Sequence, residues 1–207
     1  MVIRNFARRF ILAIVSVSLA LVLAFAYVVL TGEAYGFNNL LKSAEQGNAI
    51  AQCNLGWMYH EGDRVETDYN KAFHWLTKAA EQNNVNAQSK LGWMFFEGEP
   101  LAKDYNEAFK WFRKAAEQGD ADGQFRLSIM YAVGLGVAKD CQESANWRRK
   151  AAEQGNPIHQ CVLASDYKYG NGCVTQNYEE AIKWYKKSAE QGDEIAQSAL
   201  DEMCSNK

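Results

Sequence analysis

Apolar and polar positions follow two regimes along this chain. From Phe10 to Leu30 there is no alternation at all: FILAIVSVSLALVLAFAYVVL runs 21 residues without a charge. Read as one helix, it is about 31 Å long, enough to cross a hydrocarbon core of about 30 Å. Further on, apolar residues return at helical spacing, as Leu55–Tyr59, Leu91–Phe95, Leu127–Tyr131 and Leu163–Tyr167. Such i, i+4 pairs predict amphipathic helices. A second stripe follows each one: Ala72/Trp75/Ala79, Ala108/Trp111/Ala115, Ala145/Trp147/Ala151 and Ala181/Trp184/Ser188. In the third, Trp147 follows Ala145 by only two residues. Read by column, Trp75, Trp111, Trp147 and Trp184 are equivalent, and Ala145 replaces Phe73, Phe109 and Ile182.

The stripes belong to a repeat. Ala-Glu-Gln-Gly/Asn recurs from Ala44, Ala80, Ala116, Ala152 and Ala189, at steps of 36, 36, 36 and 37 residues. The extra residue falls in the loop of the fourth unit, at or near Cys173. The divisions are an apolar segment 1–30, a linker 31–36 and a repeat domain 37–207. Within the last lie a half repeat 37–47, full repeats 48–83, 84–119, 120–155 and 156–192, and a half repeat 193–204.

Each unit reads as two helices. The first opens at Asn48, Asn84, Asp120, Asn156 and Asp193, whose side-chain oxygens can cap free backbone N–H groups, and Pro157 stands where a missing N–H costs little. It closes at Gly62, Gly98, Gly134 and Gly170. The second opens at Asp68, Asp104, Asp140 and Asn177. Glu107, Glu143 and Glu180 stand three residues on, which predicts a reciprocal capping box in three of the units; Lys71 breaks the pattern in the first. It closes at Gly47, Asn83, Gly119, Gly155 and Gly192. One such pair cannot bury both of its apolar faces, so the pairs must stack in series. The predicted fold is all-α, a right-handed α/α superhelix of helix-turn-helix repeats preceded by one N-terminal transmembrane helix.

Composition narrows the partners. All 25 Asp and Glu lie beyond Leu30, together with 19 of the 22 Lys and Arg, so the repeat domain is acidic. That argues against nucleic acid, and an anionic bilayer would repel the domain. Arg4, Arg8 and Arg9 precede the apolar segment. Positive-inside bias then puts the N-terminus in the cytoplasm and the repeats outside it, periplasmic in a Gram-negative cell. A cleaved signal peptide, with Ala24-Phe25-Ala26 or Gly32-Glu33-Ala34 as the cut, is the competing reading, although 21 residues exceed the usual apolar run. The five cysteines, Cys53, Cys141, Cys161, Cys173 and Cys204, are odd in number and fit no zinc spacing. Sequence assigns them no pairing.

The run Ala51-x3-Leu55-Gly56-x2-Tyr59-x2-Gly62, followed by Ala72-x2-Trp75-x2-Lys78-Ala79-Ala80-Glu81-x-Asn83, resembles a Sel1-like repeat, a relative of the tetratricopeptide repeat. Gly134-x-Gly136-Val137 and Gly170-x-Gly172 match that family's inter-helix loop. Ser128, Ala164 and Asp201 depart from it by replacing the helix glycine, and Pro100 by standing where the loop glycine would be. The resemblance covers about residues 37–204. It implies a scaffold or adaptor that binds other proteins, often in exported or membrane-associated bacterial complexes. A cysteine-rich branch, with one disulfide per repeat and a link to penicillin binding, does not match, since the second repeat has no Cys.

Solenoids bind along the concave face, built by the first helix of each pair. The columns expected there hold Cys53, Trp57 and His60; Ser89, Trp93 and Phe96; Phe125, Ile129 and Ala132; and Cys161, Ser165 and Lys168, with Tyr169 beside it. Trp57, His60, Trp93, Phe96, Phe125, Ile129, Lys168 and Tyr169 are therefore the candidate partner-binding residues. Aromatic anchors in a groove suit a protein or peptide. The competing reading is that Trp57 and Trp93 pack along one another as inter-repeat core.

Enzyme readings are weak. Ser165-Asp166-Tyr167-Lys168 matches the S-x-x-K of penicillin-recognising enzymes, without K-T-G or S-D-N. His60, His74 and His159 form no metal spacing. The expectation is no enzyme, cofactor or metal, but a membrane-anchored extracytoplasmic adaptor for a protein partner. The alternative is a secreted factor acting on the cell wall or another cell, with weak penicillin-type chemistry.

Overall fold

A computed structural model describes residues 36–171 and 173–205. The apolar segment 10–30 lies outside the described residues, and among those described no helix is long and apolar enough to cross a membrane. A first helix, α1, covers 36–45. It is followed by α2 (Ala49–Glu61), α3 (Tyr69–Glu81), α4 (Val85–Glu97), α5 (Tyr105–Glu117) and α6 (Ala121–Val133). Then come α7 (Cys141–Glu153), α8 (Pro157–Tyr169), α9 (Tyr178–Ala189) and α10 (Glu194–Ser205). Each helix packs against its neighbours in sequence, the pattern of a solenoid. No strand occurs among the described residues.

Local chemistry sets the starts of α2 to α9. Asn48, Asn84 and Asp120 accept hydrogen bonds from the amides three residues on, and Asn156 from the amide of Ile158. The second helices start from Asp68, Asp104, Asp140 and Asn177 in the same way. Asn83 takes a left-handed backbone, φ 64°, where the next repeat has Gly119 at φ 94°; a short polar side chain tolerates that region.

The expected capping boxes do not form. Each of those second N-caps donates its own amide to the first helix of its repeat: Asp68 to the Tyr59 carbonyl (2.8 Å), Asp104 to Phe95 (2.9 Å), Asp140 to Tyr131 (2.9 Å) and Asn177 to Tyr167 (2.8 Å). With that donor taken, the glutamates turn elsewhere. Glu107 binds Lys110, Glu143 accepts from the Trp147 indole, and Glu180 binds Lys183.

Small residues let the helices approach. A Cβ on Gly56 would stand 2.6 Å from Leu76 Cγ, and one on Gly92 2.9 Å from the Phe112 ring. Polar ties repeat as regularly as the apolar contacts. Buried Gln52, Gln88, Gln124 and Gln160 each donate to the carbonyl eight residues earlier, at Ala44, Ala80, Ala116 and Ala152, across the repeat boundary. Each also accepts from Gln82, Gln118, Gln154 or Gln191 at the end of its repeat's second helix, at 2.6–2.9 Å. Every buried amide is thereby satisfied at both ends, which fixes register where the alanine contacts alone would slide.

Candidate interaction cleft

Three successive first helices, α2, α4 and α6, carry an open cleft of about 430 Å³, lined by Trp57, Asn86, Ser89, Lys90, Trp93 and Arg126, with Phe112, Asp120 and Asp122 at its α5–α6 side. Helical spacing puts Asn86, Ser89, Lys90 and Trp93 on one face of α4. The repeat then sets their equivalents on α2 and α6 beside them.

Trp57 and Trp93 do not stack on each other. Each indole is covered by a cation from the next first helix: Lys90 Nζ lies 4.0 Å from the Trp57 centroid, and the Arg126 guanidinium 4.2 Å from that of Trp93. Lys90 and Arg126 occupy one column, so the same contact recurs at consecutive boundaries. Trp57 remains 40% exposed and Trp93 half-buried. The sequence marks the two tryptophans but not the cations that lie over them.

The other candidate residues divide. His60 lies near Trp57 and bonds Glu61 (2.8 Å) and Glu99 (3.2 Å). His60 and Lys90 together hold the Glu61 carboxyl below its ordinary range. Phe96 stacks on Trp93 but packs its edge against Tyr105 and Phe112, as core rather than groove surface. Phe125 lies under the His159 ring at 4.7 Å. Ile129 is half-buried. Cys53 is buried rather than displayed in the groove, and burial raises its thiol to about 11.

Lys168 and Tyr169 stand apart from the cleft. Lys168 is only 8% exposed, and its ammonium is held by Glu202 of α10 at 2.7 Å, which raises it above its ordinary value. A lysine so held is no base, and its neighbours in S-x-x-K are engaged too. Asp166 pairs with Arg148, and the Tyr167 hydroxyl accepts from Arg149 at 2.6 Å. Tyr169 is exposed, with Lys168 5.1 Å from its ring centroid.

Sequence reasoning misses Lys90, Arg126, Asn86 and Ser89 as a set. Ser89 stands in an expected column; Asn86 stands one turn before it, Lys90 and Arg126 one residue beyond that column, and the recurrence at 36 residues from Asn54 to Lys90 to Arg126 is the available signal. One disulfide, Cys141–Cys173, joins the third repeat to the fourth, while Cys53, Cys161 and Cys204 are free thiols. Among the described residues no group of three His, Cys, Asp or Glu is placed to hold a metal ion.

Comparison with known proteins agrees with this architecture. The Sel1 repeat profile matches residues 49–84, 85–120, 121–156 and 160–193. A protective antigen of uropathogenic Escherichia coli with an SLR fold is 39% identical over 82% of this chain, with a TM-score of 0.76. The matched part is 36% of that antigen, so the chain spans little more than a third of its length. A Sel1 repeat protein from Oxalobacter formigenes is 36% identical over 80% of this chain and 73% of its own, with a TM-score of 0.70. Helicobacter pylori cysteine rich protein B is 26% identical over 67% of this chain and 99% of its own, with a TM-score of 0.51. No curated protein matches the chain. With four repeats matched in tandem and all caps in register, the chain belongs to the Sel1 repeat family.

Proposed function

We propose that this protein is a non-enzymatic scaffold that receives a protein partner in the cleft across α2, α4 and α6, and that the apolar segment 10–30 anchors it with the repeats outside the cytoplasm. Sel1 repeats generally serve as platforms for protein–protein interaction. The observation that carries the reading is the pair of partly exposed tryptophans, each backed by a cation, along one open cleft. Trp and Arg are the residues that most often dominate binding energy at protein interfaces. Their position over consecutive repeats suits a segment laid across the helices. If the anchor is retained, the six residues 31–36 span no more than about 21 Å, so the partner meets the cleft close to the bilayer.

The test pairs Trp57→Ala with Trp93→Ala in the full chain and measures capture of partners by cross-linking in cells. The expected result is loss of the captured proteins with the fold intact by circular dichroism; unchanged capture overturns the cleft. A topology reporter fused after Lys207 and N-terminal sequencing test the anchor. Reporter activity inside the cytoplasm, or a mature chain starting after Ala26 or Ala34, overturns it.

A further inference from the structure

Four described cations are shielded from water: Lys90, Arg126, Arg148 and Lys168. Three have a carboxylate in reach. Lys90 meets Glu61 at 3.3 Å, Arg148 meets Asp166, and Lys168 meets Glu202 at 2.7 Å. Arg126 has no ion-pair or hydrogen-bond partner among the described residues. A partly desolvated charge without a partner is costly, so this guanidinium is a site where a carboxylate would be gained at little further desolvation. Burial lowers its basicity, against the more distant pull of Asp122 and Glu97.

The surroundings define what fits. Arg126 lies along Trp93, leaving a flat apolar wall beside a fork of five N–H donors. Ser89 and Asn86 line the same cleft and can bond a peptide backbone. Of its two carboxylates, Asp120 accepts from the Gly123 amide at 2.6 Å, while Asp122 is exposed, 3.3 Å from His159 Nε2, and acts on Arg126 only through space. Lys90 stands in the same column one repeat earlier, at about 10 Å by the usual spacing of packed helices. Its partner Glu61 is itself exposed, so an incoming carboxylate can compete with it for Lys90. Three residues of extended chain in the polyproline II form cover about 9 Å and bring the fourth side chain back to the same side of the segment.

We propose that Arg126 is the recognition point of this cleft, binding an Asp or Glu side chain of an extended partner segment through paired hydrogen bonds, with a second acidic residue three positions away reaching Lys90. The inference rests on the cleft reading above and adds the chemistry of the occupant. Two parallel N–H···O bonds to a planar carboxylate are the strong form of such a contact. Trp57 and Trp93 then supply apolar walls for the residues between the two acids.

The probe is a library of random twelve-residue peptides selected on the full chain in detergent micelles. The selected sequences are then synthesised with acetylated and amidated ends. Expected are peptides with Asp or Glu at i and i+3, binding that weakens with salt, and a loss of at least about tenfold in Arg126→Gln. Arg126→Lys keeps the charge but not the fork, so it should fall between wild type and Arg126→Gln. Peptides that need Trp57 and Trp93 but show no acidic pair, or that bind Arg126→Gln unchanged, overturn this inference and leave the cleft standing. Selection only of peptides with a free C-terminal carboxylate overturns the side-chain source. Peptides indifferent to both tryptophans, or none at all, overturn the cleft reading and this inference together.

Discussion

The junction between the second and third repeats and the junction between the third and fourth use the same columns of residues with opposite chemistry. At the first, Phe112 of α5 sits on Gly92 and joins Met130 of α6 in one apolar cluster. At the second, the equivalent residues are Arg148 and Asp166, a buried ion pair. Ser128 stands in the glycine column there, and its hydroxyl oxygen accepts a further bond from Arg148 Nε at 3.2 Å. The alanine column differs as well. Ala51, Ala87 and Ala196 are buried small residues and Gly123 takes their place on α6, but on α8 the position is His159. The loops follow suit. At the first junction Gly136 lies so close to α5 that a Cβ would fall 2.0 Å from the Tyr105 carbonyl oxygen. At the second, Cys173, which after the one-residue insertion takes the left-handed place of Gly136 (φ 68°), is bonded to Cys141 in the Tyr105 column. The α7 and α8 helices approach less closely than α5 and α6, which accompanies the larger residue in the alanine column and leaves room for two side chains where the other junction has room for none. The lesson is that a solenoid repeat tolerates a polar, wider joint when a covalent bond closes the gap.

The largest effect should come from splitting the ion pair. Arg148 and Asp166 are 6% and 7% exposed, so Asp166→Ala leaves a buried guanidinium uncompensated and should cost about 3–5 kcal/mol in urea unfolding. Rebuilding the site as the other junction, with Ser128→Gly, Arg148→Phe and Asp166→Met together, should recover that loss or exceed it. Burial pushes the Asp166 carboxyl above its ordinary range although Arg148 pulls it down, so the charged pair does not fully offset its own desolvation. A single Asp166→Ala within about 1 kcal/mol of wild type would remove the joint's polar character from the account.

The disulfide comes next. It closes a loop of 32 residues, and on loop entropy alone its removal in Cys141→Ser with Cys173→Ser should cost about 3–4 kcal/mol. Wild type treated with a thiol reductant should lose a similar amount, while the double variant should not respond. Gly136→Ala should follow at about 1–3 kcal/mol, because the methyl group meets backbone and the residue is held at φ 66°. The matched change Cys173→Ala should cost no more than the disulfide, since its left-handed backbone, φ 68°, already carries a side chain. A Gly136→Ala variant as stable as wild type would mean that the two junctions are equally wide.

Repeat length, helix ends and stacking order were legible in the sequence because each depends on residues that recur every 36 positions. Asn48, Asp68 and Gly62 declare their roles locally, through caps and a left-handed turn. The glutamate boxes failed because a tertiary bond took the N-cap amide, and no local pattern announces that. The cleft was half legible. Its tryptophan columns were clear from Trp57 and Trp93, but the cations over them come from the next repeat, and only packing shows which side chain reaches across. Phe96, Phe125 and Lys168 shared the expected columns yet turned inward, since neighbours unique to their repeats, Phe112, His159 and Glu202, gave them partners. Arg148 and Asp166 were invisible as a pair, standing 18 residues apart among apolar columns.

The smallest predicted effect is also the one that isolates the wider junction in solution. His159 is buried against Phe125, and that burial lowers its imidazole below the ordinary value. Arg126 pushes the same way, and Asp122 and Asp120 oppose it. The fold therefore holds His159 neutral, while the unfolded chain takes up its proton near pH 6.5. Because the unfolded state binds more protons there, stability from this group is complete above about pH 6.5. It declines as the pH falls through that value towards the folded one. Carboxylates held low by caps and ion pairs, such as Asp68, Asp193 and Glu61, lose their contributions only at more acidic pH, which separates the two windows. Urea midpoints measured between about pH 5 and 8 should therefore slope upward in wild type. The slope should flatten in His159→Ala, which restores the small residue of the other junctions. An identical slope in that variant would assign the titration to some other group and leave His159 as a spacer alone.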